Sequence, residues 1–142
     1  MSGSRAPLGA ALAVTLLLAC GGSREGTSPY MRFDPGPTPP VVHRGEVVFN
    51  TFCMSCHGRH GRGEGLGPAL LDTLFAPSRV SEEAFYRAIG QGVSQRYYHY
   101  GAMPPVKPVN RTDATEVYRY VRWLQDRAVA AGLADSARPD LP

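Results

Sequence analysis

Beyond its first twenty residues the chain has no apolar run long enough to cross a membrane, since a spanning helix takes about 20 apolar residues. It has no internal repeat, which excludes solenoids and arrays. Neither sign of charge dominates: 15 Lys+Arg stand against 12 Asp+Glu, a formal net charge of +3. With no basic stripe and no DNA-binding motif, that balance excludes nucleic acid as a partner. No general-base histidine or catalytic arginine stands out, so no small-molecule substrate is read. What is plentiful is Gly, at 16, and Pro, at 13, in 142 residues. The chain is long enough for one small domain with tails, much of it loop or linker.

The N-terminus, "MSGSRAPLGAALAVTLLLAC", has a positive Arg5 and then 13 apolar residues, Pro7–Ala19, too short for a comfortable membrane helix. Small residues before Cys20 fit a secretory signal. Cys20 directly after Leu-Leu-Ala resembles the lipobox of a bacterial lipoprotein. The resemblance implies cleavage before Cys20, a diacylglycerol on its sulfur, and a mature protein tethered on the extracytoplasmic, periplasmic side of a membrane. An ordinary signal peptide with Cys20 incidental is the alternative.

The expected organisation is a signal peptide over 1–19, a lipidated N-terminus and Gly/Ser/Pro-rich linker over 20–42, a domain over 43–130 and a tail over 131–142. Pro35, Pro37, Pro39 and Pro40 make the second half of the linker a stiff extended spacer. Tyr30, Met31 and Phe33 interrupt its polar composition, and read either as a segment packed on its own domain or as a docking segment for a partner. A helical pattern runs from His43 through Val47, Val48, Phe49 and Phe52. A second, "EEAFYRAIGQG", follows Ser81 as N-cap. A third begins near "NRTDATE", capped by Thr112 or Asp113, with Val117, Tyr120, Val121 and Leu124 at helical spacing. No convincing strand is visible. Three helices in so short a domain bury little apolar surface, so a staple is expected at the centre.

Cys53-Met54-Ser55-Cys56-His57 is C-x-x-C-H, the attachment pattern of c-type haem. Cysteines three apart lie on one side of a helical turn, so both sulfurs reach the two vinyl groups of one porphyrin, and the next residue offers its imidazole to the iron. Two other uses compete. Half a zinc site needs further ligands, and the only other thiol, Cys20, is remote. A redox disulfide belongs to a strand–helix unit that this sequence does not show.

"GEVVFNTFCMSCHGRHGRGEGLGPAL", "GAMPP" and "EVYRYVRWL", in that order from Gly45 to Leu124, resemble the class I c-type cytochromes. The resemblance implies an all-α fold of three or more short helices and long loops around one covalent haem c, with the first and last helices crossed at Gly45, Phe49 and Tyr120. It implies that the Pro68 carbonyl accepts a hydrogen bond from the proximal imidazole.

For the sixth ligand, Met54 and His60 lie too near His57 to reach the far face, and His43 and Met31 precede the first helix. His99 and Met103 stay open on the residues alone. In extended chain they lie about 13 Å apart, so one iron takes one of them. Pro104 keeps Met103 extended, and the resemblance places a methionine directly before proline at this position. The reading is thus an electron carrier and not an enzyme, with His57 and Met103 on iron. Its work is one-electron transfer with redox partner proteins, as a membrane-tethered carrier or a subunit of a respiratory complex. A haem enzyme or gas sensor with a displaceable sixth ligand is the alternative.

Overall fold

The computed structural model describes residues 28–95 and 100–134. Four α-helices follow in order: α1 (Pro40–Phe52), α2 (Met54–His57), α3 (Glu82–Gln91) and α4 (Arg111–Ala130), with 3-10 turns at Arg59–Gly61 and Thr73–Phe75. Among the described residues there is no strand, and one isolated antiparallel bridge joins Val93 to Met103. The chain is all-α.

The centre of the fold is the crossing of α1 on α4. Phe49 and Tyr120 are both fully buried and meet with ring centroids 5.5 Å apart. A Cβ on Gly45 would lie 2.8 Å from Tyr120 Cβ and 2.7 Å from the Glu116 carbonyl carbon, so glycine is what lets the helices touch. Val117, Val121, Leu124 and Ala128 continue the buried stripe of α4. Arg122, on the flank of that helix, donates to the carbonyls of Phe75 (2.6 Å) and Val80 (2.5 Å) and ties the loop before α3 to α4.

The helix starts differ in detail from the sequence reading. α1 begins at Pro40, with proline in the first turn where its missing N–H costs nothing. Ser81 caps α3 by accepting from Ala84 N at 3.2 Å, as expected. The cap of α4 is neither Thr112 nor Asp113 but Asn110, whose Oδ1 accepts from Asp113 N at 2.9 Å. All three residue types favour that role, and Asn110 wins because its own backbone is extended (φ −77°, ψ 174°). α4 ends in a paired turn, with Gly132 N donating to Val129 O and Leu133 N to Ala128 O.

Residues 28–39 do not behave as a spacer. They form a strap laid against the domain. Tyr30 and Phe33 are 5% and 3% exposed, and Pro35 is fully buried. Of the two readings of these aromatics, packing on the chain's own domain is the one observed. Arg62 Nη1 donates to the carbonyls of Met31 (2.8 Å) and Phe33 (3.4 Å), and Ser28 Oγ donates to Arg62 O at 2.6 Å. Arg127 Nε holds Pro35 O at 3.1 Å. A turn inside the strap satisfies the Ser28 and Tyr30 carbonyls through Met31 N and Phe33 N, and two arginines of the domain take those of Met31, Phe33 and Pro35.

Candidate functional site

α1 delivers the cysteine motif. Its last turn closes with Cys53 N on Phe49 O at 2.8 Å, so the buried Phe49 fixes where Cys53 starts. The chain then kinks and makes one further turn, with His57 N on Cys53 O at 2.9 Å. Cys53, Cys56 and His57 thus share one helical turn, each partly exposed.

The glycine-rich segment after the motif is not a slack loop. It folds back over the turn: Gly63 N donates to His57 O at 2.7 Å and Gly67 N to Cys56 O at 2.6 Å. A Cβ on Gly65 would lie 2.5 Å from Cys56 O, and one on Gly67 3.1 Å from His57 Nδ1. A side chain at either place would push the motif aside. The sequence shows these glycines plainly, but their role as a cradle depends on a return path that spacing does not reveal.

This return path brings Pro68 to the imidazole. His57 Nδ1 lies 3.0 Å from Pro68 O. A carbonyl only accepts, so Nδ1 carries the proton and Nε2 keeps a free lone pair. Burial holds the imidazole pKa below its ordinary value, against the opposing effect of the Pro68 hydrogen bond, and so favours the neutral ring. Burial, and next the neighbouring Cys56, push the Cys53 thiol up to about 12. Reactive redox cysteines in such pairs are shifted the other way. Among the described residues no three His, Cys, Asp or Glu side chains converge as a metal cluster would require. Two thiols on one turn beside a neutral imidazole with Nε2 free are a donor set that fits a porphyrin bearing two vinyl groups and an iron.

Met103 arrives on a separate segment, fixed to the end of α3. Val93 N donates to Met103 O at 2.9 Å and Met103 N to Val93 O at 2.8 Å. Gly92 caps α3 with φ 78°, and a Cβ there would run into Met103 O. Val106 N closes the far side of the loop on Ile89 O at 2.8 Å. The sequence shows Pro104 as a support of Met103 and Gly92 as the end of a helix, but the pairing of Val93 with Met103 and the close approach of Gly92 to it are purely tertiary. His99 and Cys20 lie outside the described residues. His60 is engaged elsewhere, with Nδ1 3.2 Å from the Tyr120 hydroxyl.

Helices crossed beside a covalent-haem motif, with a glycine cradle on the histidine, define the class of c-type cytochromes. Residues 40–124 match the family described as cytochrome c oxidase, cbb3-type, subunit III, and the chain belongs to that family. Membership in this family implies a covalently bound haem c and electron transfer. A 57-residue stretch is 35% identical to the dehydrogenase subunit of a quinone alcohol dehydrogenase from Acetobacter aceti, covering 40% of this chain and 7% of that protein. The c-type cytochrome XoxG from Methylobacterium extorquens AM1 is similar in structure at 30% identity, with a TM-score of 0.45, covering 70% of this chain and 57% of that one. The chain therefore spans a small part of the first and little over half of the second.

Proposed function

We propose that this chain holds one haem c, for which Cys53 and Cys56 would supply the thioether sulfurs, His57 and Met103 would ligate the iron, and Pro68 would orient His57. On this reading it sits outside the cytoplasm, anchored by lipid at Cys20, and passes single electrons between protein partners as a shuttle or as a subunit of a respiratory complex. The observation that carries the proposal is the His57 Nδ1–Pro68 O hydrogen bond at 3.0 Å. It fixes the tautomer and aims Nε2 away from the glycine cradle.

The sequence contains one C-x-x-C-H motif, which supports a single haem. Each thiol adds its S–H across one vinyl group, so nothing leaves and the porphyrin becomes fixed to the turn. The bound group supplies a reversible one-electron couple. Met103 offers a soft thioether, which favours the reduced metal and raises the potential. The paired bonds to Val93 hold its backbone in place while the charge changes. Cys20 follows a signal-like apolar segment, and among the described residues no helix is long and apolar enough to cross a membrane, so lipid is the attachment proposed.

The ferric protein is expected to show the weak long-wavelength charge-transfer band of methionine-ligated haem, and the native ferrous protein to leave CO unbound. Met103→Ala should abolish the band and lower the potential by about 0.1–0.3 V, part of the ~0.8 V range that axial ligands set. An unchanged spectrum in that variant would remove Met103 from the iron. Ready CO binding by the native protein would favour an open-site enzyme or sensor instead. Cys20→Ser should release the protein from membranes or block its processing.

A further inference from the structure

We propose that the strap is an orienting clasp, which holds the lipid-tethered domain with the face around Ser28 turned to the phospholipid bilayer. This rests on the reading that Cys20 carries the lipid.

By composition, residues 21–42 would be a long spacer, able to carry the domain tens of ångströms from its anchor and let it tumble. The strap removes most of that length. Its arginine clamps and buried rings bind residues 28–39 to the domain. What remains between Cys20 and Ser28 is seven residues, a reach of roughly 25–29 Å at full extension. A domain of about 100 residues, with a radius of gyration of about 13 Å, is itself about 34 Å across. Turning the opposite side to the lipid would lift Ser28 by a full domain diameter, which the leash does not span. The point of attachment therefore selects the face.

The clasp is fixed to the part of the domain that matters for electron exchange. Arg62, its main anchor, lies in the loop that folds back over His57, and its Nη2 is paired with Glu64 at 2.7 Å. Ser28 and Tyr30 also share a cavity wall with Gly63 and Tyr100, and Tyr100 stands three residues before Met103. The exit of the tether is thus seated between the cradle of the proximal histidine and the segment leading to the methionine. On the outer turn, Met31 is 40% exposed and Arg32 is exposed beside it. An exposed apolar tip beside a long amphipathic cation suits the headgroup boundary of a bilayer. Asp34, also on the surface, accepts from Gly36 N at 2.9 Å and keeps its charge, so the turn is neutral as a whole and its apolar tip, not its charge, favours the lipid.

The test uses the full mature chain, haem-loaded and lipidated, in vesicles of phosphatidylcholine with phosphatidylglycerol, dried into oriented multilayers. Electron paramagnetic resonance of the ferric haem is recorded as the field is rotated. The signal should change with angle, because the haems share a preferred tilt. Inserting about twenty Gly/Ser residues between positions 27 and 28 lengthens the leash without touching the fold and should make the signal independent of angle. The Tyr30→Ser/Phe33→Ser variant should do the same with its optical spectrum unchanged. An angle-independent signal from native protein that sediments with the vesicles overturns the clasp, and so does an insert variant as well ordered as the native protein. Failure of native protein to sediment at all counts against lipidation instead. Cys20 is the one thiol outside the motif, so coupling it to a maleimide lipid then repeats the measurement, with the same two outcomes deciding the clasp.

Discussion

His60 shows how one residue near the site carries a load unrelated to haem. Among the described residues it is the one non-glycine with positive φ, at 53°, a conformation that costs most side chains about 1–2 kcal/mol. Its return is the bond to Tyr120, whose buried phenol is held above the usual tyrosine range and so stays a donor. Burial, then the charges of Arg59 and Arg62, lower the His60 pKa from its ordinary 6.5. The folded protein therefore binds fewer protons than the unfolded chain just below that pH, and stability falls as pH drops through 6.5 toward the folded pKa. His60→Asn tolerates the left-handed backbone and does not titrate. Denaturant melts of the haem-loaded protein between pH 5 and 7 should show a shallower pH slope in this variant than in the native chain.

At the scale of elements, the two helical glycines Gly45 and Gly90 make opposite predictions from the same substitution. Gly45→Ala drives a methyl into Glu116 and Tyr120 at the α1–α4 crossing and should cost about 1–3 kcal/mol or more. Gly90 sits in α3 with nothing within 4 Å of its would-be Cβ, so Gly90→Ala should stabilise by about 0.5–1 kcal/mol. Urea melts of the two variants check both signs. These elements differ in how far the sequence betrays them. The motif at 53–57 is legible because covalent chemistry fixes its spacing, and α3 and α4 because their apolar period is helical. The Gly65–Gly67 cradle and the Val93–Met103 pairing are not legible, because each joins segments through space with no local pattern. Asn110 was hidden among three neighbouring residues with the same capping talent.

On the scale of the whole molecule, the strap is where composition misleads most. Four prolines and a Gly/Ser lead-in read as a spacer, yet Tyr30 and Phe33 join the core cluster that holds Phe49 of α1 and Leu124 and Ala128 of α4, a contact between segments far apart in sequence. Phe33→Ala should cost about 3–5 kcal/mol for its buried ring, and should open residues 28–39 to limited proteolysis before the haem spectrum changes. The latter readout separates a detached strap from a broken core.

The short clip between Val93 and Met103 has a further consequence for speed. An electron jumps only when the atoms around donor and acceptor have already reached a geometry that suits both charge states. Two backbone hydrogen bonds, a capping glycine and two prolines leave the Met103 backbone little room to shift. Where the polar surroundings are built in advance, little energy goes into rearranging them at the moment of reaction. On the proposed ligation by Met103, a loop this firmly held favours a small reorganisation energy, and so a rapid exchange even when donor and acceptor differ little in potential.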